Sequence, residues 1–223
     1  MSVTNVFLLA QKPPAASGRP RGFAPETALQ HAMEVFWRKG FVATSLDDLL
    51  KAMALSKSSF YACFGSKHDA FMAAIESYAD GCFDEFTRHA QTAPDPVAAV
   101  RAILASVANT DGGTRGCFFV NAVTELAPHD DALAAYCQSH IARVAELVTH
   151  LLVDAGFSPG LAAERAAGAL ALSVGVITLR KAGIPPQQVA AVLAQVKVLL
   201  DLPGTAKAHP PVQCRQGSPA CEA

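Results

Sequence analysis

Several marks of catalysis, metal binding and secretion are missing from this chain. No two of its six cysteines, Cys63, Cys82, Cys117, Cys137, Cys214 and Cys221, stand at the short gap of a zinc or redox pair. A structural metal site is therefore not expected, and the thiols are expected to be free in a reducing cytoplasm. The seven histidines are scattered; Cys137 and His140 share a helical face, but no third ligand joins them. There is no Gly-rich phosphate loop, no nucleophile elbow and no Glu-x-x-His pair, so neither an enzyme nor a bound cofactor is expected. No segment alternates polar and apolar residues as a half-buried strand does. The longest apolar run, 166–179, is too short to cross a bilayer and is flanked by Glu164-Arg165 and Arg180-Lys181. Phe7 to Ala10 is too short for a secretory h-region and follows no basic segment.

What is present is apolar material and an uneven charge. Just over half of the 223 residues (51%) are of hydrophobic type, enough for a sizeable core. The net charge is −1, but residues 1–67 hold eight Lys and Arg against four acids, a net of +4, and the remainder carries −5. Phosphate contacts would require a positive end of this kind. Residues 1–17 and 203–223 are expected to be disordered arms, since each is broken by Pro and Gly. Between them lie an N-terminal unit, 18–65, and a larger one, 66–202. Nearly everything in both reads as helix, so the expected class is all-α with about nine helices.

Two short helices with almost no connector are written into Thr44–Phe64. Leu46, Leu49, Leu50 and Met53 recur at helical spacing and define one buried face. Thr44 can cap this helix, with Asp47 as the far half of a capping box. The pattern breaks at Ala54-Leu55, and Ser56 can cap a second helix in which Phe60 and Phe64 point inward. Its outward residues, Lys57, Ser58, Ser59 and Tyr61, are a cation, two hydroxyls and a phenol, groups that suit base edges and phosphates. A preceding helix begins near Pro25 and stops at Gly40, and another begins at Ser66 with Asp69 in capping-box register. This is a helix-turn-helix pattern. Phe36, Gly40-Phe41, Thr44-Ser45-Leu46, Leu55-Ser56, Phe60-Tyr61, Phe64 and Lys67 together resemble the DNA-binding domain of the TetR/AcrR family of repressors over roughly residues 22–72. The chain departs from that pattern at Ala54, where the family turn usually has Gly, and at Cys63. Lys57, Ser58, Ser59 and Tyr61 are expected at the major groove or its phosphates, with Thr44 and Lys67 holding backbone and Ser45 also on the DNA-binding surface, in a homodimer on a palindromic double-stranded operator. Arg19 and Arg21, in a basic segment ahead of the first helix, would reach a minor groove.

In the second half, Ala166–Leu179 is apolar nearly all round, so it should be covered on most sides. With the last helix, about 186–202, it is expected to form a two-fold contact through Ala169, Ser173, Val176, Val189, Leu193 and Val196. Cys117 is expected in the first turn of a helix 117–126, where backbone N–H groups and Arg115 would favour its thiolate. The stretch Gly116 to Asn121, with Gly18 to Phe23, looks like a TetR subgroup that includes regulators of electrophile, N-ethylmaleimide or acrylate response. That likeness implies a sensing site at Arg115, Cys117, Phe118 and Asn121. The expected function is a cytoplasmic transcriptional repressor that a small-molecule or electrophile inducer releases from DNA. The rival is a helical small-molecule-binding enzyme or carrier that does not bind DNA.

Overall fold

The structure, a computed structural model, describes residues 24–108 and 113–200, and within them the regular elements are nine α-helices and two single 3₁₀ turns, with no strand. The helices are α1 (Pro25–Lys39), α2 (Leu46–Met53), α3 (Lys57–Phe64), α4 (Lys67–Thr92), α5 (Pro96–Ala108), α6 (Phe118–Glu125), α7 (Asp131–Asp154), α8 (Pro159–Lys181) and α9 (Pro186–Leu199). Arg19 and Arg21, the two expected arms, Cys214 and Cys221 lie outside the described residues, as do the side chains of Leu193 and Val196.

Local chemistry accounts for the boundaries of the first four helices. Pro25 occupies the first turn of α1, where its missing N–H is no loss, and Gly40 ends it at φ 82°. The box on α2 is shifted by one residue from expectation. Ser45, not Thr44, is the N-cap: its Oγ accepts from the Asp48 N–H at 3.1 Å, and the Asp48 carboxylate accepts from the Ser45 N–H at 3.0 Å. Thr44 is buried, and its hydroxyl donates to the Gly40 carbonyl at 2.6 Å. The Lys39 ammonium, 2.7 Å from Asp48, and the Ser45 N–H hold that carboxyl well below its usual range. Ser56 caps α3 and Ser66 caps α4, each accepting from the N–H three residues on. Between α2 and α3, Ala54 takes the left-handed conformation (φ 53°, ψ 40°) usually given to glycine, and its N–H closes on Leu50.

The core of the three-helix head does not end at residue 65. Phe36, Leu49, Phe60, Phe71 and Ile75 belong to one buried cluster with Phe118, Ala122 and Leu133 of the second half. Burial of each such side chain contributes about 1.5–3 kcal/mol relative to exposure. A second cluster, with Val100, Ile103, Val148, Leu152, Ala162 and Ala166 at its centre, joins α5, α7 and α8 to the far half of α4. Helix α8 is long and apolar enough to cross a membrane, yet it packs against α5, α7 and α9 inside the fold. Ala169, Ser173 and Val176 are wholly inaccessible within one subunit, and Val189 is buried as well. Val176 packs with Ala108 of α5 and Val189 of α9, and Ala169 belongs to the cluster shared with α5 and α7, so these residues are buried within the subunit and not on a surface open to a second chain. The outer face of α8 shows Ala167, Ala171 and Val174 instead.

Candidate nucleic-acid interface and adjoining cavity

Helix α3 is held by Phe60, which is fully buried, and presents its other side outward. Lys57 and Ser58 are exposed, and Tyr61 is 46% exposed with its ring edge-on to Phe60 at 5.6 Å. Ser59 is half-buried. The hydroxyls of Ser58 and Ser59 lie 3.0 and 2.9 Å from the Ser56 Oγ, so the serine run is a pre-arranged cluster at the helix start. Ser45 is exposed at the start of α2 on the same head. Lys67 is placed differently. Its ammonium donates to the carbonyls of Phe41 (2.8 Å) and Thr44 (2.7 Å) and lies 4.3 Å from the centre of the Phe41 ring. Lys67 and Thr44 thus hold the α1–α2 loop in shape from beneath, with their polar groups turned into the protein.

The head is tied to the second half by a set of contacts of long sequence separation. The indole N–H of Trp37 donates to the Gly116 carbonyl at 3.1 Å. Arg115 pairs with Glu34 at 2.7 Å and stacks 4.6 Å over Trp37. Glu125, at the end of α6, accepts the N–H groups of Phe41 and Val42. His68 meets Asp130, the cap of α7, at 2.6 Å, and the Leu133 N–H, then His68, hold the Asp130 carboxyl below its usual range. Sequence reasoning missed Trp37, Glu125 and Asp130. The capping position of Asp130 three residues before Leu133 was the one readable signal.

The four expected sensing residues are not brought together. Arg115, Phe118 and Asn121 line a cavity of about 450 Å³ between the head and α6, where the Lys181 ammonium donates to Asn121 Oδ1 at 2.8 Å. Cys117 faces another cavity, of about 520 Å³, among α4, α6, α7 and α8. Its expected activation is corrected too. Cys117 is the N-cap of α6, not a first-turn residue; its side chain makes no capping bond, and Arg115 is turned away to Glu34. The thiol is buried and lies 3.5 Å from the Tyr78 hydroxyl. Burial, then Cys117, pushes the neighbouring Cys82 thiol up to about 12, and burial raises Cys137 to about 11. Among the described residues no group of three or more His, Cys, Asp or Glu could hold a metal ion.

A helix-turn-helix with a polar, exposed second helix, mounted on a helical body, defines a DNA-binding regulator. Residues 28–74 match the family model for bacterial regulatory proteins of the tetR family, and residues 96–195 match the model for the C-terminal domain of LmrA/YxaF-like transcriptional regulators. The chain belongs to the TetR family of transcriptional regulators, which are not enzymes, so the rival enzyme reading falls. It is 29% identical to the HTH-type regulator YezE of Bacillus subtilis over 141 residues, 62% of this chain and 73% of that protein. It is 31% identical to the repressor ComR of Escherichia coli over 121 residues, 52% of this chain and 58% of that one. A structure of cysteine-substituted CifR, a TetR family regulator complexed with 26-base-pair double-strand operator DNA, is 27% identical with a TM-score of 0.68, covering 82% of this chain and 98% of that chain.

Proposed function

We propose that the protein is a homodimeric cytoplasmic repressor that binds a two-fold operator and is released by a small molecule held in the second half. Exposure of Lys57, Ser58 and Tyr61 on a helix anchored by buried Phe60 carries the DNA reading. Ser45 and Ser59 complete the surface; Arg19 and Arg21 would add minor-groove contacts. The operator-bound state of CifR and the repressor activity named for ComR are consistent with it.

Dimerisation is supported by Val174 and Val198, which are 41% and 58% exposed on α8 and α9. Release is supported by the course of α6. Phe119 and Val120 line the 520 Å³ cavity at its start, and Glu125 grips the head at its end. A ligand that prefers the arrangement with α6 displaced would draw the population away from the DNA-binding spacing. A reversible ligand fits this cavity better than thiolate chemistry, because Cys117 lacks the partners that would activate it.

Fluorescence anisotropy on a duplex selected from a random pool tests the DNA reading. Lys57→Ala with Tyr61→Ala should weaken binding and flatten its salt dependence while the melting temperature holds. A folded double variant with unchanged affinity at physiological salt would refute it.

A further inference from the structure

The 520 Å³ cavity falls within the size range of small-molecule sites. Its lining includes Phe86, Phe119, Val144, Leu170 and Ile177, and no Asp, Glu, Lys or Arg is among the lining residues. His140 also lines it, packed 4.8 Å from the Phe119 ring. Burial, then Arg143, lowers the His140 pKa, so the ring adds no positive charge at neutral pH. Bringing an ionised ligand into such surroundings without a countercharge is strongly unfavourable. A short carboxylic acid therefore does not suit this cavity, and Arg115, which could have paired with one, is held by Glu34.

Two polar groups on the wall are under-used: the His140 Nδ1, which is buried without a partner, and the Tyr78 hydroxyl, which is the nearer of the two to the head. The hydroxyl of Tyr78 has the thiols of Cys117, at 3.5 Å, and Cys82 as its nearest polar neighbours. Sulfur is a weak acceptor, so a phenolic O–H placed there gains less than it would from an oxygen. Burial, reinforced by the two thiols, raises the Tyr78 pKa, so the group stays protonated and remains a donor.

The geometry points to a neutral, lipophilic ligand with one carbonyl oxygen, its apolar body against Phe86, Phe119 and Leu170 and its carbonyl accepting from the Tyr78 hydroxyl. This assignment rests on the reading of the protein as a ligand-released regulator and specifies its ligand class. Tyr78 also joins the ligand to the head, since its ring packs edge-on to Trp37 at 5.4 Å and to Phe118 at 5.7 Å. Trp37 is the single tryptophan of the chain, which makes its fluorescence a built-in reporter.

Three compounds of equal length form the test on the full chain: a phenylalkyl methyl ketone, the matching alkylbenzene and the matching phenylalkanoate. Trp37 fluorescence and thermal shift should show the ketone binding about fivefold to tenfold more tightly than the alkylbenzene, the value of one hydrogen bond. The phenylalkanoate should bind more weakly than either. Tyr78→Phe should keep alkylbenzene binding and remove the advantage of the ketone, and Ala171→Trp, which fills the cavity mouth, should weaken all three. Equal binding of the phenylalkanoate, an undiminished ketone advantage in Tyr78→Phe, or no binding by a folded chain would overturn the assignment. Operator affinity measured alongside separates the two levels. Binding in the expected order with no loss of operator affinity sustains the ligand class and refutes release. Release of Tyr78→Phe by the ketone at wild-type potency sustains release and refutes the site.

Discussion

The carboxylate of Glu125 accepts the backbone N–H of Val42 at 2.9 Å and that of Phe41 at 3.1 Å, across more than eighty residues of chain. These two donors sit in the loop that leads from α1 toward the helix-turn-helix. A side chain at the end of a helix that borders the 520 Å³ cavity thus fixes the backbone of the helix-turn-helix head.

Glu125→Ala leaves both donors to water. Because the site is partly exposed, the expected destabilisation is about 1–2 kcal/mol, measured by denaturant unfolding. The variant should also lose part of the coupling between cavity and head: ligand affinity should remain while the ligand-dependent change in operator affinity shrinks. Gly40 lies against the same carboxylate, and a Cβ there would stand 2.8 Å from both oxygens at φ 82° and ψ 168°. Gly40→Ala should therefore cost about 1–3 kcal/mol through backbone strain, and most of that cost should persist when Glu125 is also alanine.

Ala54→Gly should raise stability. Alanine at φ 53° carries a left-handed penalty of about 1–2 kcal/mol, partly offset by the greater freedom glycine has when unfolded. The expected net gain is up to about 1 kcal/mol, visible as a higher melting temperature with unchanged operator preference. A decrease would mean that the turn is not formed as described.

Val174→Arg and Val176→Arg separate the dimer surface from the subunit core. Val174 is exposed on α8, so its arginine variant should remain helical and become monomeric by light scattering. Val176 is fully buried, so an unpaired charge there should unfold the subunit rather than split a folded dimer. A wild-type chain that is monomeric at micromolar concentration would refute the two-fold model.

His140 gives the stability a pH dependence of defined sign. Burial, then the Arg143 charge, lowers its folded pKa from 6.5, with Asp80 opposing, and its Nδ1 is buried without a partner. Above pH 6.5 both folded and unfolded chains hold the ring neutral, and the stability is fully present. As the pH falls through that value the unfolded chain takes up a proton that the folded one resists, and stability is lost. His140→Phe should fall less in melting temperature between neutral and mildly acidic buffer than the wild type does.

The amino-acid sequence by itself determined most helix boundaries and the exposed polar face of α3, because both depend on neighbours within one turn. Pro25 sets a helix start because its missing N–H is no loss there, Ser56 and Ser66 set theirs by accepting from the N–H three residues on, and Phe60 at helical spacing decided which side of α3 faces out. The one-residue slip at Thr44 and Ser45 also has a local cause: both are capping residues with an aspartate three positions on, and only the Thr44 bond to the Gly40 carbonyl turns Thr44 inward. Tertiary structure alone decided what Cys117, Arg115 and α8 do. Glu34 lies 81 residues before Arg115 and removes it from the thiol, while Tyr78, on another helix, brings that thiol to an apolar cavity. Likewise, Ala169, Ser173 and Val176 mark an apolar helix face in the sequence, but nothing local says whether that face meets helices of its own subunit or a second chain. The choice follows from which surfaces together remove most apolar area from water, a property of the assembled helices rather than of any one of them.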